Sequence, residues 1–213
     1  MITLVAPRTS VGPREQAHSR HLGVLSRTGR AERRARRAER HRLERQDALS
    51  RRLAELGMIR GLLEQAAGIV RAGWVQGAWF TVATPGGDRA VTTYDLSAAV
   101  SQPVTGACLV GSVVQAAGGP VEVRSQLVQR TLDVVWHALR EDPGRPVRWC
   151  PGPCARMMHV LEMTFWNDAP GRTQDEVAEL LVAARQTAEA QSDLCRVEQR
   201  ELLTASAHVV RNG

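Results

Sequence analysis

Along residues 58–73 the apolar positions Ile59, Leu62, Leu63, Ala66, Ile69 and Val70 recur at three and four residues. That is the spacing of an amphipathic helix, and Gly73 follows as its stop. The next stretch changes period. Its β-branched and aromatic residues flank Pro85-Gly86-Gly87-Asp88, which predicts a hairpin pairing about 78–84 with 89–94. Asp95 or Ser97 is placed to cap a short helical turn ending by Pro103. The small-residue run GACLVGSVVQAA at 106–117 predicts a buried helix, closed by Gly118-Gly119-Pro120. Val123, Leu127, Leu132, Val135, Trp136 and Leu139 mark a further helix over 121–140, ended by Asp142-Pro143-Gly144. The Pro-rich stretch 143–156 reads as a loop. Met157, Met158, Val160, Leu161 and Phe165 follow as a short apolar helix or turn. Thr173 with Glu176 three residues on forms a capping box, opening a helix that carries Val177, Leu180, Leu181 and Ala184. The last stretch, about 193–210, reads as a second C-terminal helix through Leu194, Val197, Leu202 and Val209. No repeat of fixed period is visible. The pattern is that of a mainly α fold, a compact helical domain over 58–213 with a short β-hairpin.

Upstream the pattern is different. Residues 1–28 show little periodicity and contain Pro7, Gly12, Pro13 and Gly23, so they read as a flexible N-terminal segment. Residues 29–57 form an Arg-rich helical extension of Ala, Arg, Glu and Leu, all strong helix formers. Glu32 with Arg36, and Arg51 with Glu55, stand at i,i+4 spacing. Apolar positions are mostly Ala until Leu43, Leu49, Leu53 and Leu56, so the first half of this helix has no strong face to bury. Met58 is the first Met after Met1 and sits where the domain pattern begins. It offers an alternative start, in which case residues 1–57 would fall outside the native product.

Charge sharpens this division. Residues 1–56 hold 14 Arg and 6 acidic side chains, a net of +8, while residues 57–213 hold 14 Arg and 16 acids, a net of −2; together they give the chain's +6. All 28 basic residues are Arg. Complete loss of Lys points to coding bias in a GC-rich genome, which weakens the case for a guanidinium-specific role. One reading makes the extension a nucleic-acid arm, with Arg33, Arg34, Arg36, Arg37 and Arg40 neutralising phosphates. The competing reading is a solvated, charge-laced helix without a partner. No aromatic residue is interleaved, which argues against base stacking there. No apolar run reaches the roughly 18 residues of a membrane span, and no signal-peptide pattern opens the chain. A cytoplasmic protein without a membrane partner is expected.

Candidate chemistry is sparse. Cys150-Pro-Gly-Pro-Cys154 has the three-residue interval that a zinc pair allows, with His159 five residues on and Cys108 or Cys195 as a fourth donor. No second tight Cys/His pair accompanies it, so no metal is assigned, and a redox dithiol or two plain loop cysteines remain alternatives. Cys108, with His137 or His159 and then Asn167 or Asp168, has the order of a thiol-dependent enzyme. Its apolar small-residue setting is equally that of a core cysteine. Trp166-Asn167-Asp168-Ala-Pro-Gly-Arg172-Thr173 reads as a loop entering a capped helix, with Trp166 as its apolar anchor. Arg172 beside free helix amides could bind an anion. No cofactor is implied, and a non-enzymatic module is favoured over an enzyme.

The strings LLEQAAGIVRAGWVQG, ACLVGSVVQAAG and WNDAPGRTQDEVAELLVAA resemble an uncharacterised family of small proteins found in actinobacteria and their phages. The matching positions are Trp74, Gln76 and Gly77; Cys108 and Gly111; and Trp166, Asn167, Asp168, Arg172, Thr173, Glu176 and Val177. Val75, between Trp74 and Gln76, departs from the pattern. The resemblance spans about 58–190 and leaves out the basic segment and CPGPC. It implies a compact, mostly helical domain without assigned activity, often carried by phages or mobile elements. The combined expectation is a cytoplasmic binding or regulatory module that touches nucleic acid through its extension and a protein, or a second copy of itself, through its domain.

Overall fold

The computed structural model describes residues 13–141 and 145–211, and within them lie five α-helices and one three-stranded antiparallel sheet. The mainly α class and the hairpin are both present. The expectations for residues 1–12 and for Asp142-Pro143-Gly144 lie outside the described residues. Two compact units divide the chain after Ala48.

The first helix, α1 (Pro13–Ala72), is one uninterrupted element where the sequence suggested two. It opens at Pro13, so residues 13–28 belong to the helix. Pro suits the first helical position, and the single Gly23 costs a helix only about 1 kcal/mol. Gly57 does not break it either, because the helix gains tertiary packing on both sides of that residue. In the second unit α1 buries Leu49, Leu56, Ile59, Leu63, Ala66 and Val70. Each large one contributes about 1.5–3 kcal/mol. The i,i+4 pair expected between Arg51 and Glu55 gives way to a tertiary one, in which Arg130 donates to Glu55 at 2.7 Å.

The last helix, α5 (Gln174–Arg211), is also continuous where two were expected. Its buried stripe runs from Val177 and Leu181 through Ala184 and Ala188 to Cys195. Thr187 and Ser192 return their hydroxyls to the carbonyls of Ala183 and Ala188, so neither polar side chain interrupts the stripe. Its contacts with α1 place Gln199 on Ser50, Glu189 on Arg60 and Gln174 on the Val70 carbonyl. The numbers rise on one helix as they fall on the other, so the two run antiparallel.

Strands β1 (Phe80–Thr84), β2 (Gly87–Val91) and β3 (Val104–Ala107) order as β2-β1-β3. Pro85-Gly86 makes the tight turn, and Gly87 follows at φ 107°, a conformation that favours glycine. β3 was read as the start of a helix. Its residues Gly106 and Ala107 are small, and the sheet edge on β1 captures them before α2 (Leu109–Ala116) begins. A short 3-10 turn at Leu96–Ala99 follows Asp95, which pairs with Arg89 instead of capping. Another, at Pro120–Arg124, precedes α3 (Gln126–Arg140), whose cap is Ser125. α4 (Pro153–Asn167) starts inside the expected Pro-rich loop, with Pro153 in the first turn.

Two glycines serve close backbone approach. A Cβ on Gly73 would lie 2.2 Å from the Thr105 carbonyl oxygen, and one on Gly111 2.1 Å from that of Trp79. Gly73 is therefore small because β3 passes over it, not because its φ is positive.

Candidate functional site

The motif residues converge. Three helix ends meet at Asn167, the last residue of α4: the exit of α1, the entry of α2 and the exit of α4 itself. Asn167 is completely buried. Its Oδ1 accepts from the Trp74 indole Nε1 at 2.9 Å and from the Leu109 backbone N–H at 3.0 Å. Its Nδ2 donates to the Val75 carbonyl at 3.1 Å and to Asp168 Oδ1 at 2.7 Å. An amide offers two acceptor sites and two donors, and all four are used. A carboxylate could not donate and an apolar side chain could do neither, so only an amide of this length fits.

The neighbours repeat the theme. Gln76 Nε2 donates to the carbonyls of Asn167 and Ala169 at 3.0 and 3.2 Å. Asp168 Oδ1 also accepts the Gly77 N–H at 3.0 Å, where Gly77 stands at φ 70°. Arg172 lies over the Trp166 ring at 3.9 Å, donates to the Trp166 carbonyl at 3.1 Å and pairs with Glu176 at 3.1 Å. These partners already engage its guanidinium, and the anion site suggested beside the helix start is filled by Glu176. Thr173 and Glu176 close a reciprocal cap at 2.8 and 3.3 Å. The Thr173 amide, then its hydroxyl and the Arg172 charge, hold the Glu176 carboxyl below its ordinary range. Trp166 and Asn167 thus form the last turn of α4 rather than a loop.

Cys108 sits against this cluster as the N-cap of α2. Its sulfur accepts the Gly111 N–H at 3.3 Å. Burial pushes its thiol up to about 11, outweighing the cap amides, which act in the other direction. A thiol nucleophile needs its thiolate, so this environment works against the thiol-enzyme alternative. His137 is buried on α3 and His159 stacks on Trp136 at 3.8 Å with 11° between the rings.

The two cysteines of CPGPC differ in exposure. Cys154 is exposed, whereas Cys150 is half-buried and donates its thiol to the Gly152 carbonyl at 3.3 Å. Cys108 and Cys195 are both buried, one at the start of α2 and the other on α5. Cys150 instead meets His159 and Asp133, with one donor atom from each lying within 4.8 Å of the others. Asp133 was missed in the sequence. Its signal was a single carboxylate between Leu132 and Val134, on the face of α3 that the core covers. Nearby, the Trp136 indole donates to Glu162 at 2.9 Å, which with Arg140 holds that carboxyl below its ordinary range.

On the extension, Arg33, Arg34, Arg36, Arg37 and Arg40 are all exposed. At 100° per residue, Arg33, Arg36, Arg37 and Arg40 share one face of α1, with Arg34 at its margin. Among the described residues none of the five is in an ion pair, whereas Glu39 pairs with Arg42. No helix among the described residues is long and apolar enough to cross a membrane.

No curated protein and no solved structure matches the chain. A family model described as a family of unknown function, DUF6197, matches residues 58–187. The match takes in every residue of the Asn167 cluster and begins partway along α1. The chain belongs to the DUF6197 family.

Proposed function

We propose that the protein is a non-enzymatic binding or regulatory module of the cytoplasm that contacts nucleic acid through its Arg-rich helix and a protein partner through its domain. The observation that carries this is the face formed by Arg33, Arg36, Arg37 and Arg40, exposed and unneutralised. Successive members stand at three, one and three residues, so the stripe covers about 10 Å of helix axis at 1.5 Å per residue. Phosphates recur about every 3.4 Å of axis along each strand of a duplex, so a stripe of this length runs beside about three phosphates of one strand. The motif of the domain supports the non-enzymatic half. Its polar groups are spent on one another, and its cysteine is held protonated.

The test is anisotropy of a labelled DNA duplex, and of an RNA hairpin, with the full chain across a salt series. Replacing the five arginines by Gln should abolish most of the binding. Five phosphate contacts correspond to a slope of log K against log salt of about −4 to −5 on duplex DNA. Affinity unchanged by the five substitutions would overturn the reading. Substitution is a better test than deleting 1–57, because that deletion also removes Leu49 and Leu56 from the core.

A further inference from the structure

We propose that Asp133, Cys150 and His159 form a zinc site of three protein ligands, one from α3, one from the segment before α4 and one from α4. Their donor atoms lie within 4.8 Å of one another. Oxygen, thiolate and imidazole together are the donor set that suits Zn²⁺ among the common divalent ions. Three ligands leave one coordination position for water or a bound ligand.

Each donor has capacity for an ion. Asp133 is 1% exposed. Its Oδ2 accepts the Cys150 N–H at 3.2 Å and Arg156 Nη2 at 3.2 Å, and its Oδ1 accepts Arg156 Nε at 3.5 Å. A carboxylate has about four lone-pair sites, so Oδ1 keeps one for a metal. His159 Nδ1 is buried and makes no hydrogen bond. A buried ring nitrogen without a partner is costly, and a metal ion would satisfy it. Cys150 holds its thiol proton toward Gly152, and that proton is released to solvent when the sulfur takes the metal.

The surroundings fix these donors in place. Trp136 stacks on His159 and is itself held by Glu162, which sets the imidazole plane. The Cys150 amide and Arg156 clamp the carboxylate from opposite partners. Such outer contacts orient ligands and tune their basicity. Two negative ligands neutralise the ion, and Arg156 pairs with the carboxylate at 3.2 Å. Cys154, exposed on the first turn of α4, is not among the ligands.

The test uses the reduced full chain after chelator treatment. Cobalt(II) is titrated first, read by its near-ultraviolet thiolate charge-transfer band, and zinc then displaces it. One equivalent per chain is expected. Cys150→Ser should remove the band, and both Cys150→Ser and His159→Phe should weaken zinc binding by about 100-fold or more, while Cys154→Ser changes it by less than about threefold. His159→Phe keeps the stack on Trp136. Cys150→Ser, in a half-buried loop, remains decisive if the Phe variant fails to fold. A folded protein that shows no band and takes up no zinc overturns the proposal. So does an equal loss in Cys154→Ser, which would point to a cysteine-pair site instead.

Discussion

Trp74 and Asn167 stand 93 residues apart in the chain, and the indole N–H of one is donated to the side-chain carbonyl of the other at 2.9 Å. That bond fixes the exit of α1 to the end of α4. The Leu109 amide on the same oxygen adds the start of α2.

Removing Asn167 should therefore unfasten three segments at once. Asn167→Ala strands the Trp74 indole, the Leu109 amide and the Val75 carbonyl, and a loss of about 3 kcal/mol or more is expected. Asn167→Asp keeps the acceptor but loses the donor and sets a second carboxylate against Asp168. It should also destabilise. Denaturant melts of both variants check this, and a stability within experimental error of the parent would contradict it.

Gly111→Ala sets helix propensity against sterics. Propensity favours Ala by about 1 kcal/mol, but the new Cβ would meet the Trp79 carbonyl at 2.1 Å. The clash is with backbone, so the net effect should be a loss of about 3 kcal/mol. Gly68→Ala, exposed in α1 with nothing within 4 Å of its Cβ, isolates the propensity term. It should stabilise by about 0.5–1 kcal/mol. Thermal melts of the pair give opposite signs.

Cys108 should resist alkylation in the folded protein at pH 8 and react on unfolding, read by peptide mass mapping. Its thiol is raised from 9.0 to about 11, so the folded state keeps a proton that the unfolded chain loses. The stability tied to that proton is fully present below pH 9. It falls by about 1.4 kcal/mol per pH unit as the pH rises from 9 toward 11. Cys108→Ala should flatten that alkaline decline.

Glu176 gives the opposite sign. Its carboxyl is held low by the Thr173 amide, so its contribution is present above the ordinary carboxylate range and lost as pH falls through its lowered value. Glu176→Gln should shallow the acid limb of a stability profile.

Chains beginning at residue 49 and at residue 58 should behave differently. The shorter lacks Leu49 and Leu56, both buried, and the Glu55 partner of Arg130. At about 1.5–3 kcal/mol per buried Leu, the shorter chain should be weaker by about 3–6 kcal/mol. Equal melting temperatures would refute the core role assigned to those residues.

Much of this was legible in the sequence, for identifiable reasons. Ile59, Leu63, Ala66 and Val70 carried a helical period that tertiary packing kept, and Thr173 with Glu176 carried a cap that local geometry alone determines. The breaks at Gly57 and near residue 192 were misread because tertiary burial on both sides overrides weak local signals. β3 was hidden because Gly106 and Ala107 have no strand preference of their own; the edge of β1 decides their state. Within the site, Trp166-Asn167-Asp168 was visible as a string, but its partners Val75 and Leu109 use backbone groups that no side chain advertises. Asp133 was overlooked because a lone carboxylate in an apolar face has no partner nearby in sequence.

The Asn167 junction also has a temporal meaning. Its bonds to Trp74 and Leu109 close intervals of 93 and 58 residues, and long intervals cost entropy before their contacts can form. The helices can form earlier from local contacts, so the junction is expected to form after the folding barrier, with a φ-value near zero for Asn167 as the check. Changes there should accelerate unfolding far more than they slow folding. The residue that fastens the domain should thus set how long it stays closed, rather than how quickly it closes.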